Sequence, residues 1–478
     1  MTKKINLDEY QSKVVECNSN VIVIAGAGSG KSLTIVEKIN HLINENICTP
    51  NEILAISFTN ASVKDLKKKI TYNINVFTFH QLAINILKSN NYSYTLSSPN
   101  LLEYTITEEL KKCNKNDQKV ILKYLRIPLT YNNFLKSKYF KSFCNFITSF
   151  INTYKSNNLS VDIILKARFS TLEKKIIKII FEIYKTYMEE KKSTNSLDFD
   201  DLIIYSTKFA NVTKFDYKYI IIDEFQDTSQ IRLNLIYNIF KNSESKIIVV
   251  GDDYQSIYHF SGCDLNIFLN FTKLFPNVET IKLINTYRNS LELIKIAALF
   301  IQKNPIQIKK DLSSTINNSV PIVFAPHTDK IKSLKKILLY LEKISDDIMI
   351  VSRNNKDINK YIDNDFTLQD NILTFNNRSI KYYTIHKSKG LEAEYVIVIN
   401  CNDSYLGFPN KIESNAIINK LLPNNEIRFA EERRLFYVAI TRCKKQAFLL
   451  YDKNLPSIFI KEIKKITKKI VHNNTIFK

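Results

Sequence analysis

The stretch VIVIAGAGSGKS, residues 21–32, constrains this chain more than any other. Its first half is apolar on both alternations and rich in β-branched residues, which is how a parallel strand covered on both faces reads. Gly26, Gly28 and Gly30 follow at alternate positions, then Lys31, Ser32 and an amphipathic helical pattern. A strand that turns through glycines into a helix N-terminus points several backbone N–H groups at one spot, and that spot favours an anion. Ala25 to Ser32 (AGAGSGKS) is therefore read as a phosphate loop. In it the backbone of Ala25, Gly26, Ala27, Gly28, Ser29 and Gly30 wraps a nucleotide, Lys31 reaches its β- and γ-phosphates, and Ser32 offers a hydroxyl to Mg²⁺.

Glycine is otherwise almost absent. The chain of 478 residues has seven, and the four outside this loop are Gly251, Gly262, Gly390 and Gly407. A sequence that avoids glycine keeps it where backbone geometry requires it. The segments VVGDDYQS, FSGCD, HKSKGLE and YLGFP are thereby marked as candidate sites.

Further strand-like runs follow the first: ILAISF at 53, YIIID at 219 and KIIVVGD at 246. A second series runs TIKLI at 280, IMIVS at 348, KYYTI at 381, YVIVI at 395 and AFLLY at 447. Helical patterns separate the strands, so two α/β units in tandem are expected. Between the early strands, Phe143, Ile147, Phe150, Ile151 and Tyr154 recur at helical spacing, as do Leu172, Ile176, Ile180, Ile183 and Tyr187. The expected division is a first α/β domain over 1–85 and 196–277, a helical insertion over 86–195, and a second α/β domain over 278–478.

Several motifs fit the phosphate loop. In YIIIDEFQDTSQ a strand ends in Asp223 and Glu224, one carboxylate for Mg²⁺ and one to polarise an attacking water. Gln255 follows a buried strand, where an amide can sense a γ-phosphate. Tyr258 and Phe260 come next at alternate positions. Alone they read as core packing; in a nucleic-acid channel they read as stacking platforms. Arginine is scarce, so Arg288 in INTYRNS and Arg442 in EERRLFYVAITRCKK stand out as forks for phosphoryl charge. ATP is then expected between the two α/β units, where hydrolysis drives relative motion.

Composition supports a polyanionic partner. Lys+Arg is 68 against Asp+Glu 47, a formal charge of +21. Part of that surplus follows a general richness in Lys, Asn and Ile. The seven cysteines are scattered with no CxxC pair, which fits free thiols rather than disulfides or zinc. The N-terminus is polar and the apolar runs are too short to span a bilayer, so a cytoplasmic protein is expected, nucleoid-associated in a bacterium, nuclear or in a virus factory otherwise. The basic tail KEIKKITKKIVHNN reads as a solvated helix face packing on Ile463 and Ile470.

In their order these motifs resemble the UvrD/Rep group of superfamily 1 helicases, and in wording the DNA helicase IV branch. LDEYQ, AISFTNASVKDLKKKI, VFTFHQLA, SLDFDDLI, IIDEFQDTS, GDDYQSIYHFSG, TYRNS, YYTIHKSKGLEAEYVIV and EERRLFYVAITRC occur in the family's sequence. The resemblance implies two RecA-like domains, ATP and Mg²⁺, and 3′→5′ movement on single-stranded DNA with unwinding of partly duplex DNA. It implies that Gln11 reads adenine, Tyr287 stacks on it and Glu392 lies near the ribose. Phe58, Tyr258 and Phe260 match base-stacking positions. Thr59, Asn60, Thr78, His80, His386 and Lys389 match DNA-backbone or coupling positions. Arg288 and Arg442 match arginine fingers.

Two departures stand out. Close Rep relatives carry Trp–Arg where this chain has Phe260–Ser261. A short segment separates SRNN from KYYTIHKSKG, so the large second-domain insertion of many relatives is expected to be absent. An ATP-driven translocase that displaces proteins or remodels RNA polymerase shares every one of these motifs. A non-catalytic DNA-binding module does not need them. A fused nuclease finds no carboxylate cluster from residue 452 onward, where the acids are Asp452 and Glu462.

Overall fold

The computed structural model describes residues 6–166, 169–412, 415–421, 427–471 and 475–477. Sixteen strands are described: β1 (Asn20–Ala25), β2 (Ile53–Ser57), β3 (Asn75–Thr78), β4 (Thr95–Leu96), β5 (Ser196–Leu197), β6 (Tyr219–Ile222), β7 (Lys246–Gly251), β8 (Val278–Leu283), β9 (Ile322–His327), β10 (Ile348–Ser352), β11 (Phe366–Gln369), β12 (Ile372–Phe375), β13 (Arg378–Thr384), β14 (Ala393–Val398), β15 (Cys443–Asp452) and β16 (Thr475–Ile476). The fold is mixed α/β with parallel sheets.

The first sheet has the order β3-β2-β6-β7-β1-β8 and every pairing in it is parallel. β1, β2 and β6 are buried at nearly every position, as their unbroken apolar sequences require. Helices cover both faces, giving one core on each side of the sheet. The second sheet has the order β11-β12-β13-β10-β14-β15-β9-β16. Its β13-β10-β14-β15-β9 body is parallel, while β11 and β12 add an antiparallel meander. That meander occupies the short segment after SRNN.

One boundary needs correction. TIKLI, assigned by chain order to a second domain starting at residue 278, is the edge strand β8 of the first sheet. It pairs with β1 from Asn20↔Val278 to Ala25↔Leu283. Glu279, Thr280 and Lys282 leave it polar, as an edge strand allows. Pairing, not chain order, decides membership, and polar alternation carries no signal of which sheet is joined.

Between β4 and β5 the chain forms helices including Leu101–Lys112, Lys115–Leu125, Lys138–Ser156 and Thr171–Ser193 around their own apolar core. The short parallel β4–β5 pair closes its neck. Lys155 and Lys191, both buried, bind Asp198 and Asp201 there, so the SLDFDDLI acids fasten the helices to the sheet. On the far side, Ile417 and Leu421 from the helix Ala416–Leu421 enter the same core, and Lys420 pairs with Glu173 at 2.7 Å. The connection after β14 thus reaches across to the helical insertion. No helix among the described residues is long and apolar enough to cross a membrane.

Candidate functional site

β1 ends at Ala25, and the helix Lys31–Asn44 begins six residues on, with Gly30 as its left-handed cap at φ 79°. Gly28 is also left-handed, at φ 72°, and a Cβ there would lie 2.5 Å from Arg288 Cβ. The crowding has a cause: residues 285–288 lie directly on the loop. Tyr287 N donates to Gly28 O at 2.9 Å, and Thr286 Oγ1 donates to Ala27 O at 2.7 Å. Arg288, expected from the far unit, therefore comes from the segment that follows β8.

The sheet order sets the rest. β7 lies between β1 and β6, so Gln255, just after β7, falls between the loop and the acids that follow β6. Lys31 Nζ binds Glu224 Oε1 at 2.8 Å. Glu224 has φ 53°, a left-handed backbone that a non-glycine residue holds only when its surroundings fix it. Its second oxygen accepts from Gln226 Nε2 at 2.6 Å. Burial alone would raise the Glu224 carboxyl, but Lys31 and Lys389 outweigh it and hold the group below the usual carboxylate range. Asp223 goes the other way. Burial, with Glu224 as a like-charged neighbour, pushes it up to about 6. A recessed carboxylate short of positive charge, with the Ser32 hydroxyl on the neighbouring loop, is a hard-oxygen donor set that fits Mg²⁺.

Arg442 completes the site from the second unit. It is 1% exposed. Nη2 donates to Gln255 Oε1 at 2.9 Å, Nε to Val438 O at 3.2 Å and Nη1 to Leu391 O at 3.3 Å. Among the described residues no carboxylate pairs with it. Burial, and then the charge of Arg288, lowers its pKa to about 9. Gln255 passes the link on, since Nε2 donates to Asp252 Oδ2 at 2.6 Å. A buried guanidinium facing a second guanidinium, with only neutral acceptors, is a site waiting for anionic charge.

Gln11, Tyr287 and Asp8 are hydrogen-bonded to one another and to the loop. Gln11 is buried; Oε1 accepts from Asp8 N at 3.1 Å and Nε2 donates to Ser29 O at 3.3 Å, so the amide also braces the loop. Tyr287 is 54% exposed and donates its hydroxyl to Asp8 Oδ2 at 2.5 Å. Asp8, which the sequence reading passed over, also caps the helix Glu9–Glu16 and accepts from Asn285 at 3.0 Å. Its signal was legible as a capping box, Asp8 to Gln11. Glu392 pairs with Arg288 at 2.7 Å and with Lys444 at 2.8 Å.

A second cluster lies beside the first. Phe58 stacks on Tyr258, with centroids 5.7 Å apart and planes at 18°. Tyr258 lies 6.1 Å from Phe260, and Phe260 meets His386 edge-on at 5.3 Å. Phe260 is 60% exposed. His386 comes from the second sheet, so the cluster spans both units. Burial lowers the pKa of His386 and of His80 to about 4 each. His80 meets Phe199 edge-on at 5.2 Å; Phe199 is exposed and is a further ring on this face that the motif reading omitted.

Residues 7–276 match the family model for the UvrD/REP helicase N-terminal domain, more than half of the chain. The chain belongs to the UvrD/REP helicase family. It is 28% identical to DNA helicase IV of Escherichia coli (strain K12) over 95% of its own length and 69% of that protein's. It is 32% identical to the ATP-dependent DNA helicase Rep of Buchnera aphidicola subsp. Baizongia pistaciae over 65% of its own length and 45% of that protein's. A probable DNA helicase II homolog of Mycoplasma capricolum is 30% identical over 66% of this chain and 43% of its own length. The chain thus spans about two thirds of the first of these relatives and under half of the other two.

Four residues matched to DNA-backbone or coupling positions, Lys389, Thr59, Thr78 and Asn60, have partners within the chain. The Lys389 side chain is buried: Nζ binds Asp227 Oδ2, donates to Gln255 O at 2.8 Å and lies 3.4 Å from Glu224. Three acceptors and the Tyr258 ring, 5.1 Å away, draw its ammonium inward. It joins Glu224 and Asp227 to the aromatic cluster. Thr59 and Thr78 cap helices, accepting from Ser62 N and Gln81 N. Both patterns are readable as N-caps, because a threonine oxygen satisfies an orphan N–H at that place. Asn60 is exposed and accepts from Gln81 at 3.3 Å.

Proposed function

We propose that this chain is an ATP-driven DNA helicase that moves 3′→5′ along single-stranded DNA and opens partly duplex DNA, its two sheets acting as two RecA-like units. The observation that carries the reading is Arg442: a buried guanidinium from the second unit, without a carboxylate partner among the described residues, held by Gln255 beside the phosphate loop of the first. A γ-phosphate supplies the missing charge, and binding it draws the two units together.

The residues divide the work as follows. Backbone N–H groups of residues 26–31 bind phosphate oxygens. Lys31 leaves Glu224 for the β- and γ-phosphates, freeing that carboxylate to orient a water and take its proton. Ser32 and Asp223 would hold Mg²⁺, which neutralises phosphate charge when bound. Arg288 and Arg442 stabilise charge on the transferring phosphoryl group, and Gln255 positions Arg442. Tyr287, set by Asp8, offers a face to adenine. Lys389 connects Glu224, Asp227 and Gln255 to Tyr258, so a change at the nucleotide reaches the rings that grip bases.

The test is ATPase rate with and without oligodeoxythymidylate, then strand separation on duplexes with 3′ or 5′ tails. Wild-type turnover rises with DNA, and a 3′-tailed duplex is opened. Glu224→Gln binds ATP but stalls hydrolysis; normal turnover in that variant overturns the site assignment. DNA-stimulated ATPase without strand separation on either tail leaves the protein-displacing translocase as the reading.

A further inference from the structure

Arg232 lies in the first turn of the helix Gln230–Lys241, and no motif above includes it. It is partly exposed. Its guanidinium sits 4.9 Å from the centroid of the Phe58 ring and 5.8 Å from that of Phe79. Nη1 donates to Asp227 O at 3.1 Å, and Cys263 Sγ lies 3.9 Å away. These partners are a carbonyl and a sulfur. Among the described residues Arg232 makes no ion pair with a carboxylate. Its charge is felt by His80, on the same face.

The location is informative. Phe58 touches Arg232 and stacks on Tyr258, so the guanidinium borders the run Phe58–Tyr258–Phe260–His386. The loop that carries Phe260 has Ser261 where close Rep relatives have arginine, so it brings no guanidinium of its own. Ser261 Oγ turns instead to Cys263 Sγ at 3.6 Å, and that sulfur is also Arg232's neighbour. An arginine held over an aromatic face can still offer N–H groups to a phosphate while losing little side-chain freedom.

The geometry points to Arg232 as a DNA-contacting residue that takes one phosphate of a single strand at the border of the aromatic track. Through Asp227 it also touches the ATP side. Asp227 O accepts from Arg232 and from Cys263, while its carboxylate holds Lys389. A phosphate pulling on the fork bears on the residue that anchors Lys389.

This inference rests on the single-strand-binding reading above, and the experiment separates the two. Binding of labelled oligodeoxythymidylate is measured without nucleotide over a series of salt concentrations, for wild type, Arg232→Gln and Arg232→Lys. Each phosphate contact to a single strand contributes about 0.7 to the slope of log K against log[salt]. Arg232→Gln is expected to bind roughly tenfold more weakly at low salt, with a slope shallower by about 0.7. Arg232→Lys keeps the slope and loses part of the affinity, because an ammonium lacks the fork. A wild-type slope in Arg232→Gln overturns the inference and assigns the side chain to packing under Phe58, whatever happens to affinity or melting temperature. A wild-type protein that does not bind the oligonucleotide overturns the single-strand reading and this inference together.

Discussion

Replacing Arg442 by methionine should nearly abolish turnover while scarcely touching the stability of the nucleotide-free protein. The structure supplies both halves. Burial and Arg288 lower the Arg442 pKa from 12.5 to about 9, and a shift of that size corresponds to about 5 kcal/mol against holding the charge there. Methionine fills much of the same volume and removes that cost. It also removes three hydrogen bonds, to Gln255, Val438 and Leu391, each worth about 1.5–3 kcal/mol because the donor is charged. The two contributions largely offset each other, so the melting temperature should move by no more than a few degrees. Turnover should fall by about 10³-fold, since the fork acts on charge that develops during transfer. Calorimetry of the nucleotide-free protein and steady-state ATPase, on one preparation, read the two quantities. The reverse pattern, a loss of about 3–5 kcal/mol in stability with turnover intact, is what a structural arginine with a hidden partner gives, and it would refute the argument.

Two further expectations follow from the aromatic cluster. Phe260→Ala removes a ring that is 60% exposed, so melting should change little while single-strand affinity falls roughly 5- to 150-fold, the worth of about 1–3 kcal/mol per stacked base; a collapse of stability with normal binding makes Phe260 a core residue instead. Acid should destabilise the protein through His386, which burial holds at about 4 against an ordinary value of 6.5. A depressed histidine binds its proton more weakly folded than unfolded, so its share of stability is complete above pH 6.5 and is lost as pH falls toward 4. His386→Asn should flatten the melting-temperature profile across that window, and an unchanged profile shows that the ring is solvated.

The candidate nucleotide site was legible as a constellation because its elements are local. Strand, glycines, Lys31 and Ser32 are consecutive, and Asp223–Glu224 end a strand whose apolar run is unbroken. What escaped the sequence depended on pairing or on long side chains. β8 is polar at its exposed edge, and nothing in Val278–Leu283 says which sheet it joins. Lys389 has the sequence of a surface lysine; only three acceptors converging from two loops, Glu224 and Asp227 after β6 and Gln255 after β7, turn it inward. Asp8 and Thr78 were legible as caps, through acceptors placed three residues before Gln11 and Gln81. Arg232 had no local signal, because its partners Phe58, Asp227 and Cys263 come from different loops of the first unit.

The strap carrying Ile417 and Leu421 has a consequence for how this chain can be taken apart. Both side chains are buried in a core whose other residues lie hundreds of positions earlier, around Phe150 and Ile180. The helical insertion is therefore not a detachable module. Excising it at the β4–β5 neck leaves two apolar side chains of the far unit without a seat, and expressing it alone leaves its own core open on one side. Size changes at these seats are shared between the strap and the insertion, so lineages that enlarge one should be found to trim the other.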